Sequence, residues 1–134
     1  MDLFDLAIAK KLSGGGGGGG GDETLSELIK RTITTIEIPD DVTKIGTSAF
    51  TGCAELESVV LHENITTVEN YAFQNCTKLM SITSKATTPP SLLGSGVLTG
   101  VPDNCNIYVP AESVAAYKAA NRWSSRASYI QAIP

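Results

Sequence analysis

Two stretches of this chain, "SAFTGCAELESVVL" (48–61) and "YAFQNCTKLMSITS" (71–84), are versions of one another displaced by 23 residues. Phe50 and Phe73, Cys53 and Cys76, and Leu56 and Leu79 all stand at that separation. The same step takes Ile36 to Val59 and on to Ile82, Ile38 to Leu61, Val42 to Ile65 and Ile45 to Val68. A unit this short cannot bury its own apolar residues, so successive units must stack and share one core. "TIEIP" (35–39), "SVVL" (58–61), "SIT" (81–83) and "NIYVP" (106–110) are short, alternating and rich in β-branched residues, and each reads as one strand. Stacked, they predict a parallel ladder with about 4.8 Å between neighbours. The Val/Ile pairs, the Ala-Phe pairs and the Cys-x-x-Leu units then point inward.

The third turn departs from the pattern. Ile82 and Ile107 are 25 residues apart, so two residues are inserted, and Ser84 sits where an apolar residue belongs. "TTPPSLLGSG" stands in place of the Val-x-x-Ile core pair, and Cys105 is out of register with Cys53 and Cys76. Pro89 and Pro90 cannot donate ladder hydrogen bonds, which predicts a loop that leaves the regular coil. The ends of a stack need covers. "DETLSELIKR" (22–31) reads as a short helix with Asp22 as N-cap and Leu25, Leu28 and Ile29 on its apolar face. "AESVAAYKAAN" (111–121) follows Pro110 and is rich in helix formers. Val114, Tyr117, Trp123, Tyr129 and Ile130 are expected to cover the last rung.

The stretch "IEIPDDVTKIGTSAFTGCAELESVVL" resembles the BspA-type leucine-rich repeat, a family found in bacterial surface proteins and phage proteins. The segment running from "TPPSLLGSG" to "SYIQAI" is similar to the closing part of such arrays. The resemblance implies a leucine-rich-repeat β-solenoid with capping helices at both ends, spanning residues 22–134.

Ahead of it stands a run of eight glycines, 14–21, preceded by "MDLFDLAIAKKLS" at 1–13. Leu3, Phe4, Leu6, Ile8 and Leu12 would surround most of a helix there. So short a helix is marginal alone in water, and one apolar nearly all round must be buried against something. Residues 1–13 therefore read as a docking or oligomerisation peg, and 14–21 as a linker of about 15 Å root-mean-square span. Polyproline-II-like packing of the glycines of several chains is the alternative. The opening "MDLFDLAIAKKLSGGGGGG" is similar to that of virion structural proteins of phages. This resemblance implies a virion protein, assembled in the bacterial cytoplasm; the peg is expected to insert into other virion proteins or into copies of itself, with a trimer as the expected state. A bacterial cytoplasmic or cell-surface location is the alternative.

Composition narrows the function. Fourteen acids outnumber ten scattered Lys and Arg, which argues against nucleic acid. No apolar run approaches the roughly 20 residues of a membrane span. Asp2 and Asp5 stand where a signal peptide would be basic. The glycine run ends in "GDET", without the Lys of a phosphate loop, and "GSGVLTG" (94–100) is not a dinucleotide fingerprint. With one histidine, three cysteines and no CxxC, no metal site, cofactor or catalytic residue is expected. The cysteines read as buried structural thiols, and Cys53 and Cys76 as neighbours in the stack that stay reduced.

What remains is a binding surface. Strand alternation turns Glu37, Val60, Thr83 and Tyr108 away from the core, flanked by Thr35, Ser58, Ser81 and Asn106. His62 and Lys85 lie at the strand ends, His62 as a solvated rung residue. These are the candidate ligand-binding positions, with Tyr108 as the anchor for a host surface protein or glycan. The expected function is a non-enzymatic display protein of a phage tail or capsid. The alternatives are a decoration protein without a ligand of its own, and a bacterial protein–protein scaffold or surface adhesin.

Overall fold

A computed structural model describes residues 32–134. The expected peg at 1–13, the glycine linker at 14–21 and the helix at 22–31 lie outside the described residues. The chain winds into coils that lay down two parallel sheets. One sheet contains β1 (Thr35–Glu37), β3 (Ser58–Leu61), β5 (Ser81–Ser84), β7 (Asn106–Val109) and β8 (Ile130–Ala132), side by side in that order. The other contains β2 (Lys44–Ile45), β4 (Thr67–Glu69) and β6 (Ser91–Leu93).

The core is a set of in-register rows. Ile36, Val59, Ile82, Ile107 and Ile130 face one another across the five strands, and all are buried. Ile45, Val68 and Leu92 do the same across the second sheet. Phe50 and Phe73 stack between coils with ring centroids 5.4 Å apart. Cys53, Leu56, Cys76 and Leu79 are fully buried beside them. On the outside, Lys78 reaches Glu55, one period back, at 2.8 Å.

The third turn stays in the coil, against the expected departure. Pro90 is followed at once by β6, whose Leu92 takes the core slot opposite Val68. The extra residues enter singly. Ser91 pairs with Thr67, 24 positions earlier, and Asn106 with Ser81, 25 positions earlier. Ser84, where an apolar side chain was expected, is fully buried with its hydroxyl 2.8 Å from the Tyr117 hydroxyl. Tyr117 donates its only hydroxyl proton to the carbonyl of Ala86, so Ser84 is the donor to Tyr117.

Left-handed corners repeat with the coils. Ser48 and Tyr71 have φ of 60° and 62°, while Gly52, Asn75 and Gly100 have 78°, 61° and 87°. At Gly52 a Cβ would meet nothing within 4 Å, whereas at Gly100 it would lie 2.9 Å from the Asn75 backbone. Gly52→Ala is therefore expected to cost only the left-handed strain, about 1–2 kcal/mol. Gly100→Ala adds the overlap and should cost about 1–3 kcal/mol more. Paired urea melts check this, and equal losses at the two glycines would contradict it.

After β7 the chain crosses the end of the stack through a 3-10 turn (Ala111–Ser113), the six-residue helix α1 (Val114–Ala119) and a second 3-10 segment (Trp123–Tyr129). The helix is shorter than the expected 111–121, because Ala120 turns to an extended conformation. Tyr117 and Trp123 are buried against each other edge to face, with centroids 5.1 Å apart. Tyr129, expected to cover the last rung, is instead 38% exposed. The segment then adds β8 as a fifth strand.

Side chains of this segment answer the carbonyls that the third coil leaves open. Trp123 Nε1 donates to Pro90, Arg122 to Leu92, and Ser113 to Thr87. Arg126 alone reaches the carbonyls of Leu98, Val101 and Pro102. A further coil would supply backbone N–H groups at this end; here hydroxyl, indole and guanidinium donors do so instead.

Candidate functional site

Alternation along each strand sends every second side chain outward, and the parallel register lines those side chains up. Glu37, Val60, Thr83 and Tyr108 face one another in one row across β1, β3, β5 and β7. β8 extends the row to Gln131, a position outside the expected set. Thr35, Ser58, Ser81 and Asn106 form the row beside it. Glu37 and Gln131 at the two ends are exposed, and the three residues between are half-buried by their neighbours. Gln131 donates its amide to Asn106 Oδ1 at 3.1 Å, which ties the two rows together beside Tyr108. Five strands at about 4.8 Å spacing make a strip roughly 19 Å across.

The strand ends differ from expectation. Lys85 is exposed at the rim, but His62 is only 8% exposed. Its Nε2 donates to the carbonyl of Pro39, and its Nδ1 accepts the backbone N–H of Asn64. The ring supplies a donor where the backbone ladder has ended, so His62 joins two coils and offers little surface to a ligand.

Cys53, Cys76 and Cys105 are buried thiols. Hydrogen bonding to the Cys53 thiol, followed by burial, pushes Cys76 far above the ordinary thiol value. Burial pushes Cys105 up to about 11, partly offset by the charge of Arg126. Burial likewise raises Tyr117. None of these groups is poised as a nucleophile at neutral pH. All three shifts favour the protonated form in the folded state. The unfolded chain loses these protons first, so stability should be level below the ordinary thiol value of 9.0 and fall as pH rises above it. Urea melts across this range, with thiol titration of the native and the unfolded protein, check the point; rapid alkylation of the native thiols at neutral pH would contradict it.

Among the described residues no cluster of three or more His, Cys, Asp or Glu is placed to hold a metal, and no helix is long and apolar enough to cross a membrane. One open recess of about 260 Å³ lies between the third coil and the closing segment. Leu92, Gly94, Ser95, Val97 and Leu98 line it from the coil, and Arg122 and Ser125 from the segment.

No curated protein matches the chain. Comparison with protein families matches residues 28–108, well over half the chain, to the BspA type leucine rich repeat region. Leucine-rich repeats of this kind serve as scaffolds for binding other proteins. The match, the two parallel sheets and the in-register core rows agree on one conclusion: the chain belongs to the BspA-type leucine-rich-repeat family.

Proposed function

We propose that the protein is a non-enzymatic display module of a phage virion, on the tail or capsid, whose ladder face contacts a host-surface protein or glycan. The observation that supports this reading best is the in-register row from Glu37 to Gln131, a regular outward face built by a protein-binding repeat family. The virion setting comes from the opening "MDLFDLAIAKKLSGGGGGG", whose apolar segment and glycine run suit a module tethered to a larger particle. A strip roughly 19 Å across is small beside the roughly 800 Å² per partner of a standard interface. Single copies therefore bind weakly, and the tether gives useful avidity by presenting many copies.

Tyr108 contributes apolar area with a hydrogen-bonding tip. Gln131 and Asn106 add amide groups already held in place. Tyr108→Ala, displayed in many copies on beads, is expected to weaken attachment to host cells by about tenfold or more, since an aromatic anchor is worth about 1–2 kcal/mol per copy, and Gln131→Ala, at the exposed end of the row, should weaken it by less. Wild-type attachment by both variants would remove the ladder face from consideration. Mass spectrometry of purified particles tests the virion assignment separately.

A further inference from the structure

The recess beside Arg122 differs in character from the ladder face. Leu92, Val97 and Leu98 give it apolar walls, and Gly94 and Ser95 keep its rim low. Leu93 next to it is 51% exposed. Tyr71 is 42% exposed, with its ring against Gly96, where a Cβ would lie 2.4 Å from it. The Arg122 guanidinium spends NH1 on the Leu92 carbonyl and keeps further donors at the rim. In a chain of net charge −4, the stretch 111–134 holds three basic residues, Lys118, Arg122 and Arg126, against the single acid Glu112. The recess thus fits a segment that is apolar and acidic at once.

One segment of this chain has that chemistry. "MDLFDL" (1–6) interleaves Asp2 and Asp5 with Leu3, Phe4 and Leu6. In the helical reading of 1–13, Phe4 and Ile8 share a face, with Asp5 beside it. We propose that residues 1–13 dock in this recess of their own chain, Phe4 against Leu92, Val97 and Leu98, and Asp5 beside Arg122. The proposal rests on the reading of 1–13 as a docking element and adds where that element sits before a partner takes it.

Reach and concentration favour the same chain over a second copy. The described chain begins at Thr32 in the first coil and the recess lies on the third, two strand spacings or about 10 Å along the stack. The glycine run alone spans about 15 Å root mean square. A short flexible tether holds its end at millimolar effective concentration, well above that of a free copy in dilute solution. Docking covers an apolar segment that would otherwise be open to association, and a partner must displace it.

The test uses the full chain with a nitroxide on Ser13→Cys and isotope-labelled backbone amides; the native thiols are buried. The amides of Ser95, Gly96, Val97 and Leu98 are expected to lose their signals to the spin label, with no change on dilution. Arg122→Glu and Phe4→Asp should each restore them, and Asp5→Arg combined with Arg122→Glu should lose them again. Full signals at these amides in the wild-type chain would overturn the proposal. So would a loss that fades on dilution, which would place a second copy in the recess. Incorporation into particles of a chain lacking 1–13 reads the docking role of that segment independently: a chain that fails the spin-label test yet still needs 1–13 to join particles loses only the recess assignment.

Discussion

Phe73→Ala is expected to lower the stability of the repeat domain by about 3–5 kcal/mol. Phe50 and Phe73 stack 5.4 Å apart with planes inclined by only 11°, and their exposures are 0% and 2%. Each ring is the floor for the next coil, so truncation opens a void between coils that the fixed strand ladders cannot close. The backbone holds the spacing on both sides: Phe50 N–H donates to Ala72, and Phe73 N–H to Val97. Cys76 Sγ, 3.2 Å from the Phe50 carbonyl, adds a further tie across the same gap. A domain of this size has about 5–15 kcal/mol in all, so the variant should melt at much lower urea. Phe50→Ala should behave similarly, and the double variant should lose less than the sum, because the rings share one contact. An unchanged melt for Phe73→Ala would refute the shared aromatic column.

Trp123→Ala is the second large effect, also about 3–5 kcal/mol, but with a different spatial signature. Trp123 is 2% exposed, packs edge-on to Tyr117 and donates to the Pro90 carbonyl at 2.8 Å. Its loss leaves a cavity and an unanswered carbonyl at the end of the stack. A solenoid's coils contact mainly their neighbours, so the damage should stay near that end. Hydrogen exchange should accelerate at β6, β7 and β8 well before β1 to β4. Trp123→Phe keeps most of the ring and removes the donor, and should cost about 1–3 kcal/mol. Uniform acceleration across all strands would show that the closing segment does not act locally.

The first four strands of the large sheet were legible because each alternates strictly, with β1, β3 and β5 at a fixed step of 23 residues and β7 only two residues off it. β2 was not, since two residues, Lys44 and Ile45, are too few to show a period. The third coil misled because its two extra residues enter at separate places, so no single shift aligns Leu92 with Val68 and Ile107 with Ile82 together. The prolines there pointed to a break, yet Pro90 precedes the strand and its carbonyl finds a donor in Trp123. Gln131 was missed because β8 is three residues long and follows a 3-10 segment instead of a repeat turn. His62 could not be placed from its neighbours in sequence: its burial follows from the Pro39 carbonyl one coil away.

The donors that meet the third coil also bear on how such an array can lengthen. Arg126 grips Leu98, Val101 and Pro102 together, a match to one particular loop, so the last turn and its closing segment must be inherited as a pair. New turns have to be spliced in upstream, where β1 to β3 and β3 to β5 keep the same 23-residue step. Duplicating residues 58–80 would insert one more strand into the large sheet, widen the outward face by about 4.8 Å and leave the terminus untouched. Gene duplication can therefore enlarge this surface in fixed increments without reinventing its boundary.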